Sequence, residues 1–124
     1  MSEVVIVKYV RSPFTPAKKG LLKDIRADEL AAQTIRGLLS DIEIKSEEIE
    51  DVIIGCANGE GEQGLNVARI ISFLAGLPIT CGATTGSKVD IDLIHPSWRH
   101  YSSEDLTSRV VFFLGTKARK NKLS

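Results

Sequence analysis

Two β-branched runs flank a long helical stripe, and that arrangement narrows the possible folds more than any other feature of the chain. The run "EVVIVKYV", residues 3–10, is nearly continuous in apolar character. Such a run suits a strand covered on both faces, as in a parallel sheet. Pro13 in "RSPF" ends it, because proline cannot donate to a ladder. After a loop, Ala27, Leu30, Ala31, Thr34, Ile35, Leu38, Leu39 and Ile42 recur at helical spacing and form one broad apolar stripe. Asp28 and Glu29 lie in the first turn, where the helix dipole favours carboxylates. The second buried run, "DVIIGC", spans residues 51–56. A helix between two such runs calls for a crossover rather than a hairpin, and so for parallel pairing.

The pattern repeats once. Ser46 is placed to cap a short helical turn before "DVIIGC". The loop "ANGEGEQGL" follows. Asn66 then stands as the cap of a second helix, with Val67, Ile70, Ile71 and Leu74 on one face and Gly76 and Pro78 as its stop. "ITCGATT", residues 79–85, reads as a third strand. Strand, helix, strand, helix, strand predicts an α/β fold with a parallel-sheet core, the first strand central or next to central. From residue 86 the texture changes. "GSKVDIDLIHPSWRHYSSEDLTSR" has weak periodicity, and Pro96 interrupts any helix there. Only "VVFFLG", residues 110–115, has the composition of a buried strand, suited to filling an open sheet edge. The chain divides in character into residues 3–85 and a divergent tail, 86–124, which is expected to be the less ordered part.

Composition excludes several classes. The formal net charge is zero, so no bulk field points to nucleic acid or a membrane surface, and neither is expected as a partner. The balance is uneven: nine basic and twelve acidic residues in 1–85, seven and four in 86–124. "KARKNK" near the end reads as a solvated tail. No apolar run approaches the roughly 20 residues needed to span a bilayer. Cys56 and Cys81 make neither a disulfide framework nor a metal-ligand pattern, and a reducing, cytoplasmic location is expected.

Each local motif has a plain reading. "GEGEQG", 59–64, matches G-x-G-x-x-G between a strand and a helix. Glu60 and Glu62 would repel a pyrophosphate, and no acidic residue ends the third strand to hold a ribose. No cofactor is expected. "GATTGSK", 82–88, has three residues between its glycines where a phosphate loop needs four. His95, His100, Asp90 and Asp92 match no common zinc spacing, so no metal is expected. Cys56 reads as a buried thiol.

The segments "VVIVKYVRSPF", "KKGLLKDIRADELAAQTIRGLL" and "IEDVIIGCANGEGEQGLNVARIISFLAGLPIT" together resemble the N-terminal part of the thiolase family, the acetyl-CoA acetyltransferases and 3-ketoacyl-CoA thiolases, over residues 3–85. The resemblance implies a partial thiolase-like βαβαβ domain and an ancestry in acyl transfer between CoA thioesters. In that family the third strand leads to a cysteine that is acylated by a thioester. This sequence keeps Ala83, Thr84 and Thr85 and then departs from the family pattern. By gapless count Asp90 stands at the nucleophile's position, and Cys81 lies nine residues before it. A carboxylate is a poorer nucleophile, and its acyl intermediate would be an anhydride. The family's activating histidine, second cysteine and CoA-binding loop are not found in these 124 residues.

The resemblance therefore implies a truncated thiolase-type protein, inactive alone, with no assigned catalytic residue and with Cys81 as the remaining candidate thiol. CoA thioesters would bind only if a C-terminal half completed the site. The alternative is a non-catalytic interaction module that pairs with itself, as a homo-oligomer, or with a full-length thiolase.

Overall fold

The computed structural model describes residues 7–13, 15–16, 18–56 and 59–86, together with the backbone of 110–116. Among the described residues two α-helices and three strands follow one another: α1 (Ala27–Ser40), β1 (Ile49–Cys56), α2 (Val67–Leu74), β2 (Gly82–Gly86) and β3 (Val110–Thr116). The strands form one sheet in the order β2-β1-β3. Both pairings are parallel, with Asp51 opposite Gly82 and Ile49 opposite Val110. The expected α/β class with a parallel core is therefore present.

β1 is the centre of the sheet because its sequence can be buried on both faces. Val52, Ile53, Ile54, Gly55 and Cys56 are all buried. Val52, Ile54 and Cys56 share one face by the strand's period of two and join the core built with both helices. Ile53 points to the opposite face, outside that cluster, and is still only 6% exposed. Burial of one such side chain contributes roughly 1.5–3 kcal/mol.

α1 turns Ala31, Ala32 and Ile35 into the core, while Leu38 and Leu39 are partly buried. The small alanines let α1 approach closely. Its first turn carries Asp28, which is almost wholly buried and accepts two bonds from the Arg26 guanidinium, at 3.0 and 2.7 Å. Arg36 ties α1 to α2: it bonds Glu29 at 2.6 Å on its own helix and donates to the Leu74 carbonyl at the end of α2. A cation there complements the helix dipole.

α2 ends as its sequence predicts. Gly76 takes φ +81°, its N–H bonds the Phe73 carbonyl at 3.0 Å, and the Leu77 N–H bonds the Ser72 carbonyl at 3.0 Å. This is a Schellman stop, which favours glycine at the left-handed position, and here Leu77 is buried behind it.

Four expectations need correction. The described part of the first run, residues 7–10, is not in a strand, because both edges of β1 are taken by β2 and β3. Residues 3–6 lie outside the described residues. β2 begins at Gly82, after a turn, so Cys81 precedes the strand rather than lying within it. The buried face of α2 is Val67, Ala68, Ile71 and Ser72, while Ile70 and Leu74 are 36% and 41% exposed. Helical spacing identifies a face but not the few tens of degrees by which packing rotates it. Finally, Ser46 lies inside the 3-10 turn Ser46–Glu48 rather than capping it. The Glu48 carboxylate instead reaches back to the Lys45 N–H at 2.8 Å.

Candidate active site

In open parallel sheets, ligands bind outside the carboxyl ends of the strands. Here that edge is formed by Cys56 at the end of β1, Gly86 at the end of β2 and the amino end of α2. A short polar network holds it together. The Thr85 hydroxyl donates to the Asn66 side-chain oxygen at 2.7 Å and accepts from the Ala68 N–H at 3.0 Å. The Asn66 amide donates to the Ala83 carbonyl at 3.0 Å. Asn66 therefore does not cap α2 with its own side chain, as its position in the sequence suggested. Thr85, from the neighbouring strand, satisfies one of the orphan donors. The consequence is that the end of β2 and the start of α2 are fixed to one another.

The loop before α2 is drawn inward at one residue. Gln63 is buried, and the Cys56 thiol donates toward its side-chain oxygen at 3.6 Å. Gly61 adopts φ +57°, where a side chain would be strained. Leu65 holds φ +58° although it is not glycine, and its side chain is fully in solvent. These contacts pack the "GEGEQG" loop against the end of β1 through Gln63.

Cys81 lies at the other end of β2, the amino end, away from this edge. It is 1% exposed. Its thiol donates to the Gly82 carbonyl at 3.3 Å, and its own carbonyl accepts from the Arg69 guanidinium at 2.6 Å. Burial pushes the Cys81 thiol above its ordinary value, the nearby Asp51 carboxylate pushes it further, and Arg69 opposes them with the smallest effect. An ordinary thiol is only a few per cent thiolate at pH 7, and this one is less. Reactive cysteines need the opposite setting, exposed and electropositive. Cys56 is 3% exposed and also free of any disulfide.

Asp90, with Asp92, His95 and His100, lies outside the described residues. Among the described residues no three His, Cys, Asp or Glu side chains converge as a metal site, and no helix is long and apolar enough to cross a membrane. Sequence reading missed the Thr85–Asn66 tie and the Arg69–Cys81 bond. The signal available was a pair of threonines at a strand end, which carries no information about partners 17 to 19 residues away.

The family model for the thiolase N-terminal domain matches residues 4–90. This extends five residues beyond the resemblance read from the sequence. A 3-ketoacyl-CoA thiolase of Marinomonas sp. (strain MWYL1) is 42% identical over 89 residues, covering 71% of this chain and 23% of that protein. One of Shewanella baltica (strain OS155) is 40% identical over 103 residues, covering 80% of this chain and 27% of that protein. One of Acinetobacter baumannii (strain ATCC 17978) is 41% identical over 87 residues, covering 70% and 22%. The chain spans about a quarter of the length of the curated relatives it matches.

Proposed function

The chain belongs to the thiolase family, and from that premise we propose that it contributes the scaffold of an acyl-transfer site for CoA thioesters without supplying the attacking thiol. The observation that carries this reading is the placement of Cys81. Acyl transfer to a cysteine requires a thiolate in contact with the thioester carbon. A new sulfur–acyl bond forms as the bond to the CoA sulfur breaks, and CoA leaves as a thiol. Cys81 is buried at the amino end of β2, its thiol is held protonated, and it is committed to the Gly82 carbonyl. Cys56 stands at the carboxyl edge but is buried and turned toward Gln63. Neither meets the requirement. Asp90 stands where the family's nucleophile would fall and cannot replace it, for the chemical reason given above.

On incubation with acetyl-CoA, the intact mass of the folded chain is expected to remain unchanged. A stable adduct of one acetyl group that disappears in Cys81→Ser or Cys56→Ser would overturn the reading. The same result in Asp90→Asn would show that the carboxylate is acylated after all.

A second reading, a non-catalytic interaction module, is favoured by a specific surface. Ile70, Phe73 and Leu74 on the outer side of α2 are 36–51% exposed, and Ile79 in the following turn is 80% exposed. Grouped apolar side chains in water mark a contact surface. The expected partner is a second copy or a full-length thiolase. Light scattering on a gel-filtration column should show a mass above the monomer, alone or with added thiolase, that falls in Phe73→Glu. A monomeric mass under both conditions would remove this reading and leave the first untouched.

A further inference from the structure

The outer side of α2 and the turn after it are joined through one side chain, Arg69. Its guanidinium lies 5.5 Å from the centre of the Phe73 ring, one helical turn further on. The same group donates to the Cys81 carbonyl at 2.6 Å, past the turn that carries Ile79. A cation is thus held from two sides, by an aromatic face on the helix and by a backbone oxygen beyond it. The apolar side chains left in water lie along these same two segments. Ile70, Phe73 and Leu74 on α2 and Ile79 in the turn are 36–80% exposed.

The charge on this surface has one sign. The chain carries no Asp or Glu from residue 63 to residue 89, so α2 and the turn after it bring no carboxylate of their own. Among the described residues no carboxylate forms an ion pair with Arg69. Arg36, at the far end of α2, is the opposite case, because it bonds Glu29. A guanidinium has several N–H donors in a planar fork, and such a fork suits a carboxylate. Arginine and aromatic side chains supply most of the anchoring energy in protein interfaces. Those already held in place lose less freedom on binding.

We propose that this surface docks an amphipathic helix of a partner protein, one whose apolar stripe is flanked by Asp or Glu. A helix matches because Ile70, Phe73 and Leu74 stand at helical spacing and form a ridge that packs into the groove of another helix. The partner's stripe covers the apolar side chains, and a carboxylate beside it bonds the Arg69 fork. A second copy of this chain fits less well. Two-fold pairing presents the same patch on both sides, so Arg69 would approach Arg69 with no carboxylate from either α2 between them. This inference rests on the reading of the chain as an interaction module and narrows the chemistry of its partner.

Fluorescence anisotropy with the full chain and three labelled helical peptides tests it. One peptide has a leucine stripe flanked by Glu, the second has the same stripe flanked by Lys, and the third has the Glu composition with the stripe scrambled. The Glu-flanked peptide is expected to bind at least about tenfold more tightly than either of the others, and less tightly as salt rises. Phe73→Ser and Ile79→Ser should each weaken it at least about fivefold while the helical circular dichroism of the chain is kept. Arg69→Lys, which keeps the charge and loses the fork, should lower the preference for Glu over Lys. Equal binding of the Glu-flanked and Lys-flanked peptides, or no binding by the folded chain, would overturn the proposal. Sedimentation velocity on the chain alone tests the second copy. A dimer that is lost in Phe73→Ser would overturn the acidic-helix proposal and leave the interaction-module reading standing.

Discussion

Gly82→Ala is expected to destabilise the chain by about 1–2 kcal/mol, although alanine is ordinarily the better strand residue. Gly82 stands opposite Asp51 in the parallel ladder. A Cβ built there would lie 2.8 Å from Asp51 Oδ1, 3.1 Å from Asp51 Cγ and 3.2 Å from the Glu50 carbonyl oxygen. The carboxylate of Asp51 fills the space that a side chain would need. Stiffening of the unfolded chain by alanine favours folding by about 0.4–1 kcal/mol. Forced overlap in packed surroundings costs about 1–3 kcal/mol, so the clash wins.

The source of the clash can be separated from other effects. Among the described residues Asp51 Oδ1 is buried without a hydrogen-bond partner. Asp51→Ala alone is therefore expected to cost little or to stabilise, because it removes an unsatisfied polar atom. In the double variant, the Gly82→Ala penalty should shrink by at least about 0.5 kcal/mol, the size of coupling seen between touching residues. Urea denaturation of the four proteins measures this directly. Additive penalties within error would mean that Asp51 is not what the new methyl group meets.

Asp28 is expected to give the second large effect, and one that depends on pH. Its carboxylate is 2% exposed and accepts bonds from Arg26 and from the Glu29 N–H at 2.9 Å. The Arg26 bonds hold its pKa below the usual carboxylate value; burial opposes them, and the Glu29 N–H and the Arg26 charge add to the lowering. A carboxyl group with a depressed folded pKa stabilises the fold above its unfolded pKa, about 3.9, and loses that contribution as pH falls through the folded value. Arg26 is mostly in solvent, which weakens the pair. Asp28→Asn should therefore cost about 1–2 kcal/mol at pH 7, toward the low end for hydrogen bonds to a charged group. The gap to the unsubstituted chain should narrow as pH falls below the unfolded value of about 3.9 and through the lower folded one. A gap of equal size at pH 7 and pH 3 would show that shape, not charge, is what Asp28 supplies.

Much of this architecture is legible in the residues themselves. The α1 stripe, the two-sided burial of "DVIIGC" and the stop at Gly76 follow from periodicity and local backbone preference. These are properties of neighbours along the chain. Resemblance across ordered motifs was equally legible, because it rests on residue identity and spacing. The candidate site was less so. Asp90 and Cys81 could be placed against a family pattern, but the state of the Cys81 thiol depends on Asp51, Arg69 and the packing that excludes water from it. None of these is adjacent to Cys81 in sequence.

Alone, then, the sequence determined where α1, α2 and β1 fall, that the sheet is parallel, and which family the chain resembles. Tertiary structure decided which strands sit beside β1, which side of α2 faces out, and that Thr85 rather than Asn66 accepts from the amino end of α2. It also decided that Cys81 is sealed at the end of β2 away from the carboxyl edge. The division has one physical cause. Periodicity shows which side chains share a face, but an edge of a strand accepts any extended segment that reaches it. Which segment wins is settled by loop closure, competing backbone hydrogen bonds and the burial each pairing achieves, and those are sums over the whole fold.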